Sequence, residues 1–223
     1  MKNITALAGA IAVTLSAALA GCSPTTEQAS TATTTATPTV WVGEEHGKGV
    51  TLHKYISDNE IAETPFKPNQ PGTPKVDFPF PPDWSLAGDR TPDWAYGAIV
   101  YDKAKDPQNP PFIVAIASKL TGNVDPAKIL QLAPGQLNDL PEFKELSAPK
   151  KDSLGGFEAI DYAGTYMWEG KPRVVGQQTI VVPGTDNSLF VLQLNGEAPK
   201  GEEQVVVDAA DFIGANTKIY PPS

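Results

Sequence analysis

Cysteine is nearly missing from this chain of 223 residues: it has one, Cys22, and only two histidines, His46 and His53. A lone thiol cannot close an internal disulfide, so the fold must be held by core packing. Two histidines leave little for a Ser–His or Cys–His pair or for an imidazole metal site. They stand seven residues apart near Glu44 and Glu45, on an entry segment where side chains are ordinarily solvated. No Gly-x-Ser-x-Gly is present to place a serine on a nucleophile elbow. The 17 lysines and arginines face 26 acidic residues and form no cluster, which excludes nucleic acid as a partner, because phosphates demand many cations. After the first 21 residues, no run approaches the ~20 apolar residues of a membrane-spanning helix.

What is present begins at the N-terminus. Lys2 is the only charge before Glu27, and the stretch between is mostly Ala, Ile, Leu and Val. A positive start, an apolar middle and small residues at the cut define a secretory signal peptide over residues 1–21. Leu19-Ala20-Gly21 followed directly by Cys22 makes it a bacterial lipobox. The thiol of Cys22 is alkylated by diacylglycerol, cleavage falls before it, and the new amine is acylated. The alternative is an ordinary secreted protein, or a short membrane anchor with a stray cysteine. Because Lys2 is the only charge removed, the mature chain keeps 16 basic and 26 acidic residues, a formal charge of −10. Such a chain is not held on anionic lipid by electrostatics. The membrane partner is reached through the acyl chains on Cys22, and two or three chains anchor well at roughly 0.8 kcal/mol per buried methylene. The expected address is the outer, extracytoplasmic face of the cell membrane.

Residues 23–39 contain eight threonines, two serines and two prolines. Such a segment cannot bury enough apolar surface to offset its ordering entropy, so residues 22–50 are expected to be a disordered tether, dispensable for folding. It reads equally as a plain leash or as a glycosylated one. A single domain is expected over 51–223.

Leu52, Tyr55 and Ile56 are spaced for a short helix running to Ile61. Val76, Phe78 and Phe80 alternate with Asp77 and Pro79, which predicts an edge strand, since proline cannot donate to a ladder. Tyr96–Tyr101 and Phe112–Leu120 read as strands joined by a polar turn. Asp125-Pro126 is a helix start, with aspartate as cap and proline at the first position, and Pro134-Gly135 predicts a kink or break. Phe157–Trp168 and Val174–Val182 flank Glu169-Gly170-Lys171-Pro172 as a hairpin. Leu189–Leu194 forms a further strand, and a helix spans 202–214. The order helix, three strands, helix, three strands, helix defines an α+β fold, a mostly antiparallel sheet with helices packed on both faces.

Gly164–Lys171 superficially resembles a phosphate loop, but five residues separate its glycines and Pro172 stands where the hydroxyl belongs. Gly155-Gly156 lacks the third glycine of a dinucleotide site and reads as a turn. Glu202-Glu203 opens the last helix, where negative charge suits the dipole. No catalytic residue, metal ligand or cofactor is implied. Among the aromatics, Trp84 follows the alternating strand and is expected in the core. Trp94, in a polar loop with little to bury it, is expected with Tyr96 and Phe112 to line a groove for an apolar ligand or a partner.

Longer stretches resemble a known family. Tyr55-Ile56 with Asp58-Asn59, Pro81-Pro82-Asp83-Trp84, Ile113-Val114-Ala115-Ile116, Ser118-Lys119-Leu120-Thr121-Gly122, Leu154-Gly155-Gly156-Phe157 and Phe190-Val191-Leu192-Gln193-Leu194-Asn195 are similar to the LpqN/LpqT family of mycobacterial lipoproteins. The likeness runs from about residue 51 to the C-terminus and includes the lipobox. It implies a Mog1/PsbP-like α/β/α sandwich, no enzymatic activity, and a role in the cell envelope with binding partners, lipids among them. These are strand, cap and turn residues, so the resemblance carries over a fold and no site. Three functions remain open: a non-catalytic domain engaging an envelope protein partner or export complex, a carrier of an amphipathic lipid such as an acylated trehalose, and an unrecognised hydrolase.

Overall fold

The computed structural model describes residues 51–185 and 187–222. Residues 1–50, with Cys22 and the expected signal peptide and tether, lie outside them. Thr51 caps the first helix, its hydroxyl accepting from the Lys54 amide, and α1 follows over Leu52–Asp58 with Leu52 buried. It ends at Asp58, three residues before the expected stop. The next residues form a short strand, β1 (Ala62–Pro65), that sequence pattern does not reveal because every one of its side chains is exposed.

The alternating Val76-Phe78-Phe80 stretch keeps only three strand residues, β2 (Lys75–Asp77), since Pro79 and Pro81 cannot donate to a ladder. Then come β3 (Trp84–Leu86), β4 (Gly97–Tyr101) and β5 (Phe112–Thr121). Asp125 caps α2 (Pro126–Leu132) by accepting from the Ala127 amide, and the Pro134-Gly135 break turns the chain into a 3-10 segment, Ala133–Asp139.

The pattern missed an 11-residue strand, β6 (Lys144–Leu154). Only Leu154 of it is buried, so no apolar period marks it. Lys144, Lys150, Lys151 and Pro149 lie along it, and its pairing slips register twice. Strands β7 (Phe157–Trp168), β8 (Lys171–Pro183) and β9 (Leu189–Pro199) follow, then α3 (Glu203–Asn216) and a final β10 (Lys218–Tyr220). The β6–β7 and β7–β8 hairpins each turn on two residues with positive φ, Gly155-Gly156 and Glu169-Gly170. That is the twist-matched geometry of tight hairpins.

Among the described residues, eight strands form one antiparallel sheet in the order β3-β4-β5-β9-β8-β7-β6, with β1 beside β4 on the same edge of β5. β2 and β10 pair separately, with Val76 opposite Ile219. On one face α3 sets Ala209 and Ile213 against Trp84 and Ile113, next to the main core of Phe66, Tyr96, Phe190, Leu192 and Ile219. On the other face α1 and α2 cover Leu120, Val181, Leu189 and Val191. The α+β fold with helices on both faces is therefore as the sequence predicts.

Candidate functional site

Strand alternation sends successive residues of β9 to opposite faces. Phe190, Leu192 and Leu194 enter the core beneath α3. Leu189 and Val191 enter the core beneath α2, but farther along the same row stand Gln193, Asn195 and Glu197. β8 adds Gln177 and Arg173 beside them. This polar row is the floor of a cavity of about 390 Å³ between the 3-10 segment and the loop before β4. Its walls are apolar: Trp94, Val100, Phe112 and Ile116 on one side, Leu137 and Leu140 on the other.

At the polar end Arg173 is 4 % exposed. Its Nε donates to Glu197 Oε2 at 3.2 Å, its Nη1 donates to Asn109 Oδ1, and the Tyr166 hydroxyl donates to the same Glu197 oxygen. The guanidinium lies 5.5 Å from the centre of the Phe112 ring. Its Nη2 has no hydrogen-bond partner. Burial pushes the Glu197 carboxyl up, opposed by Tyr166 and Arg173, and burial with the neighbouring Glu197 pushes the Tyr166 phenol up. A second polar tier fastens the wall to the floor. Gln136 Oε1, on the 3-10 segment, accepts from Gln193 Nε2 at 2.6 Å and from Gln177 Nε2 at 3.4 Å. Beside it the Tyr162 hydroxyl lies 3.0 Å from both Asn138 Oδ1 and Glu145 Oε2. Burial, then Glu145, pushes that phenol up to about 12. The cavity thus pairs an apolar wall with a paired guanidinium and carboxylate and a bank of amides, an arrangement suited to a molecule with one apolar and one oxygen-rich end.

Of the expected groove residues, Trp94 and Phe112 meet in this cavity and Tyr96 does not. Tyr96 is buried on the opposite face, edge-on to Phe66 at 5.7 Å and to Phe78 at 6.3 Å, and burial raises its phenol. The turn through Pro92–Ala95, closed by Ala95 N–H to Pro92 C=O, interrupts the alternation that would otherwise keep Tyr96 beside Trp94. Trp94 is also less exposed than its polar neighbours suggest. It is half-buried, packed against Ala87, Ala95, Ala98, Val100 and Val114. Trp84 is buried, as expected.

Sequence reasoning missed Arg173, Glu197, Tyr166 and the three glutamines. It also missed a carboxylate pair on the α3 face. Asp161 of β7, opposite Lys150, is pushed up to about 6 by burial and by the hydrogen bond it shares with Asp152, while Asp152 is held below its usual range. Both line a second cleft, of about 460 Å³, between β6–β8 and α3. Glu202 accepts from the Lys105 amide and Glu203 from the Gly201 amide, a structural role at the start of α3. The phosphate-loop lookalike lies in β7 and its hairpin. His53 is exposed on α1, and among the described residues no group of three His, Cys, Asp or Glu is placed to hold a metal. No described helix is long and apolar enough to cross a membrane. His46, Leu19, Ala20, Gly21 and Cys22 lie outside the described residues.

One antiparallel sheet with helices on both faces and a cavity beneath one helical layer defines a single-sheet α/β/α sandwich. The family model described as "Probable lipoprotein LpqN" matches residues 48–220, so the chain belongs to the LpqN family of lipoproteins, whose place is the cell envelope. Lipoprotein LpqN of Mycobacterium tuberculosis (strain ATCC 25618 / H37Rv) is 44% identical over 99% of this chain and 100% of its own length. A crystal structure of LpqN "involved in cell envelope biogenesis of Mycobacterium tuberculosis" is similar with TM-score 0.73 and 46% identity, covering 78% of this chain and 100% of that one.

Proposed function

We propose that this protein is a non-catalytic binding domain, tethered to the outer face of the cell membrane by acyl chains on Cys22, whose cavity holds an amphipathic envelope lipid. The apolar part of the ligand lies along Trp94, Phe112 and Ile116, and its oxygen-rich part meets Arg173, Asn195 and the glutamines. The carrying observation is the cavity itself, an apolar wall of Trp94, Phe112 and Ile116 over a polar floor of Gln193, Asn195 and Glu197. The involvement of the crystallised relative in cell envelope biogenesis supports the same reading. The test is organic extraction of protein purified from intact envelope, followed by mass spectrometry. A stoichiometric lipid that is lost in Trp94→Ala is expected, and a lipid-free extract would end the carrier reading.

Engagement of an envelope protein partner is the second reading, favoured by Phe80 and Leu86, which are 51% and 70% exposed to either side of Trp84 in the chain. Crosslinking from intact envelope distinguishes it, since a scaffold yields a protein adduct that persists in Trp94→Ala.

A further inference from the structure

The Trp94 indole enters the cavity wall from the turn through Pro92–Ala95, which precedes β4 and lies outside the strand ladder. Ala95 N–H closes that turn on Pro92 C=O. The residues on either side of the indole are held differently. Ala95 is 2% exposed and pinned by burial, whereas Asp93 is exposed. One side chain from outside the cavity grips both. Lys67 Nζ donates to the Asp93 carbonyl and, at 2.5 Å, to the Ala95 carbonyl.

Lys67 is itself set in place by its neighbours. Its amide donates to Gln70 Oε1 at 3.2 Å and its carbonyl accepts from the Gln70 amide at 3.3 Å, so a local turn fixes the stem of the side chain. Phe66, one residue earlier, is buried, bonded through its amide to Ala117 C=O and edge-on to the Tyr96 ring. Two adjacent residues thus reach two aromatics that leave the chain toward opposite faces. Phe66 keeps Tyr96 in the main core, and Lys67 holds the carbonyls that bracket Trp94.

We propose that Lys67 is a positioning residue of the cavity, its ammonium holding the turn so that the Trp94 indole stands in the wall. Charge-assisted bonds to the two carbonyls fix the peptide planes before Trp94 and after Ala95, and with them the direction of the side chain between. Lys67 does not line the cavity, so it acts on a ligand only through Trp94. Without the ammonium the exposed end of the turn is released, and the indole stands in the wall for only part of the time. A site competent for a fraction of the time loses affinity by that fraction. The effect on a ligand rests on the cavity being the binding site, whereas the placing of the indole does not.

The experiment uses the full chain carrying Cys22→Ala, with 5-fluorotryptophan at its four tryptophans. The Trp94 fluorine resonance is assigned by its absence in Trp94→Phe. Lys67→Met keeps an unbranched apolar stem and removes the charge. It is expected to shift or broaden the Trp94 resonance and to leave that of Trp84 unmoved. Lys67→Arg, whose guanidinium can bridge the same two carbonyls, is expected to return the resonance to its wild-type position. A Trp94 resonance unmoved in Lys67→Met, or moved alike in both variants, overturns the proposal. The amphipathic fluorophore anilinonaphthalene sulfonate is then titrated into the unlabelled variants, with Trp94→Ala as reference. Binding about tenfold weaker in Lys67→Met and restored in Lys67→Arg is expected. Binding weakened by Trp94→Ala but not by Lys67→Met overturns the proposal. Binding that Trp94→Ala leaves unchanged removes the carrier reading instead, and the resonance alone then decides the role of Lys67.

Discussion

Alternate residues of the same strands build both faces of the sheet, and the two faces have opposite characters. Under α3, Phe190, Leu192, Ile113 and Trp84 meet Ala209 and Ile213 in an apolar packed layer, beside the cleft that opens toward β6–β8. Under α2 and the 3-10 segment, Leu189 and Val191 give way to Gln193, Asn195 and Glu197, and the layer opens into a cavity. The α3 face therefore carries stability through packing, where every deleted atom leaves a void. The cavity face carries it through paired polar groups, where a deletion strands a partner. One sheet can thus keep a packed region around Trp84 and a receptive one around Trp94 without separate domains.

The sharpest way to break this contrast is a pair of truncations. Trp84→Ala empties a packed site and is expected to cost ~3–5 kcal/mol in urea unfolding. Trp94→Ala, half-buried at the cavity wall, is expected to cost roughly a third as much while abolishing lipid retention. Equal losses would mean that the two faces are packed alike. Next in size is Arg173→Met, which leaves Glu197 without its cation and is expected to cost about 3 kcal/mol. Adding Glu197→Leu should restore most of that loss, because the desolvated pair goes with both partners. A double variant no better than the single would place the cost in packing instead of charge.

The smallest effect concerns the carboxylate pair at the edge of the α3 face. Asp161 titrates in the fold at about 6, against an ordinary value of 3.8. The folded state therefore holds this proton more tightly than the unfolded state. The associated stability is full below about pH 4 and is lost as pH rises through about 6. Asp152, shifted down, works in the opposite sense at lower pH. Asp161→Asn should accordingly raise stability above pH 6 by about 1 kcal/mol after screening, with the gain shrinking toward pH 4. A pH-independent difference would remove the charge explanation.

The sequence pattern makes the fold readable wherever burial is one-sided and caps are local. Asp125-Pro126, the break at Pro134 and the hairpin at Glu169-Gly170 carry their own signals. β1 and β6 carry none, since their side chains are exposed almost throughout and leave no period to detect. The cavity was half-legible. Trp94 and Phe112 stand out as aromatics, but Tyr96 turns to the opposite face because a turn interrupts the strand parity ahead of β4. Leu192-Gln193-Leu194-Asn195 reads as apolar-in, polar-out. Alternation reports that one face is polar, yet it cannot report that the 3-10 segment covers that face with Gln136 and Leu137. Arg173 and Glu197, 24 residues apart, become partners only through the β8–β9 register.

β6 is the strand at one end of the sheet order, with no partner on its far side among the described residues, and it carries Lys144, Lys150 and Lys151, a proline at 149 and two slips of register. If acyl chains on Cys22 hold the domain on a membrane, as proposed, this has a colloidal consequence. Confinement to a surface raises the frequency with which copies meet, and diffusion in a plane keeps their sheet borders in similar orientations. A bare border would then let neighbours zip together strand by strand. Ammonium groups that repel, a residue with no N–H to offer and an uneven spacing of amides together break that template, which would keep crowding on a surface from becoming fibrous assembly.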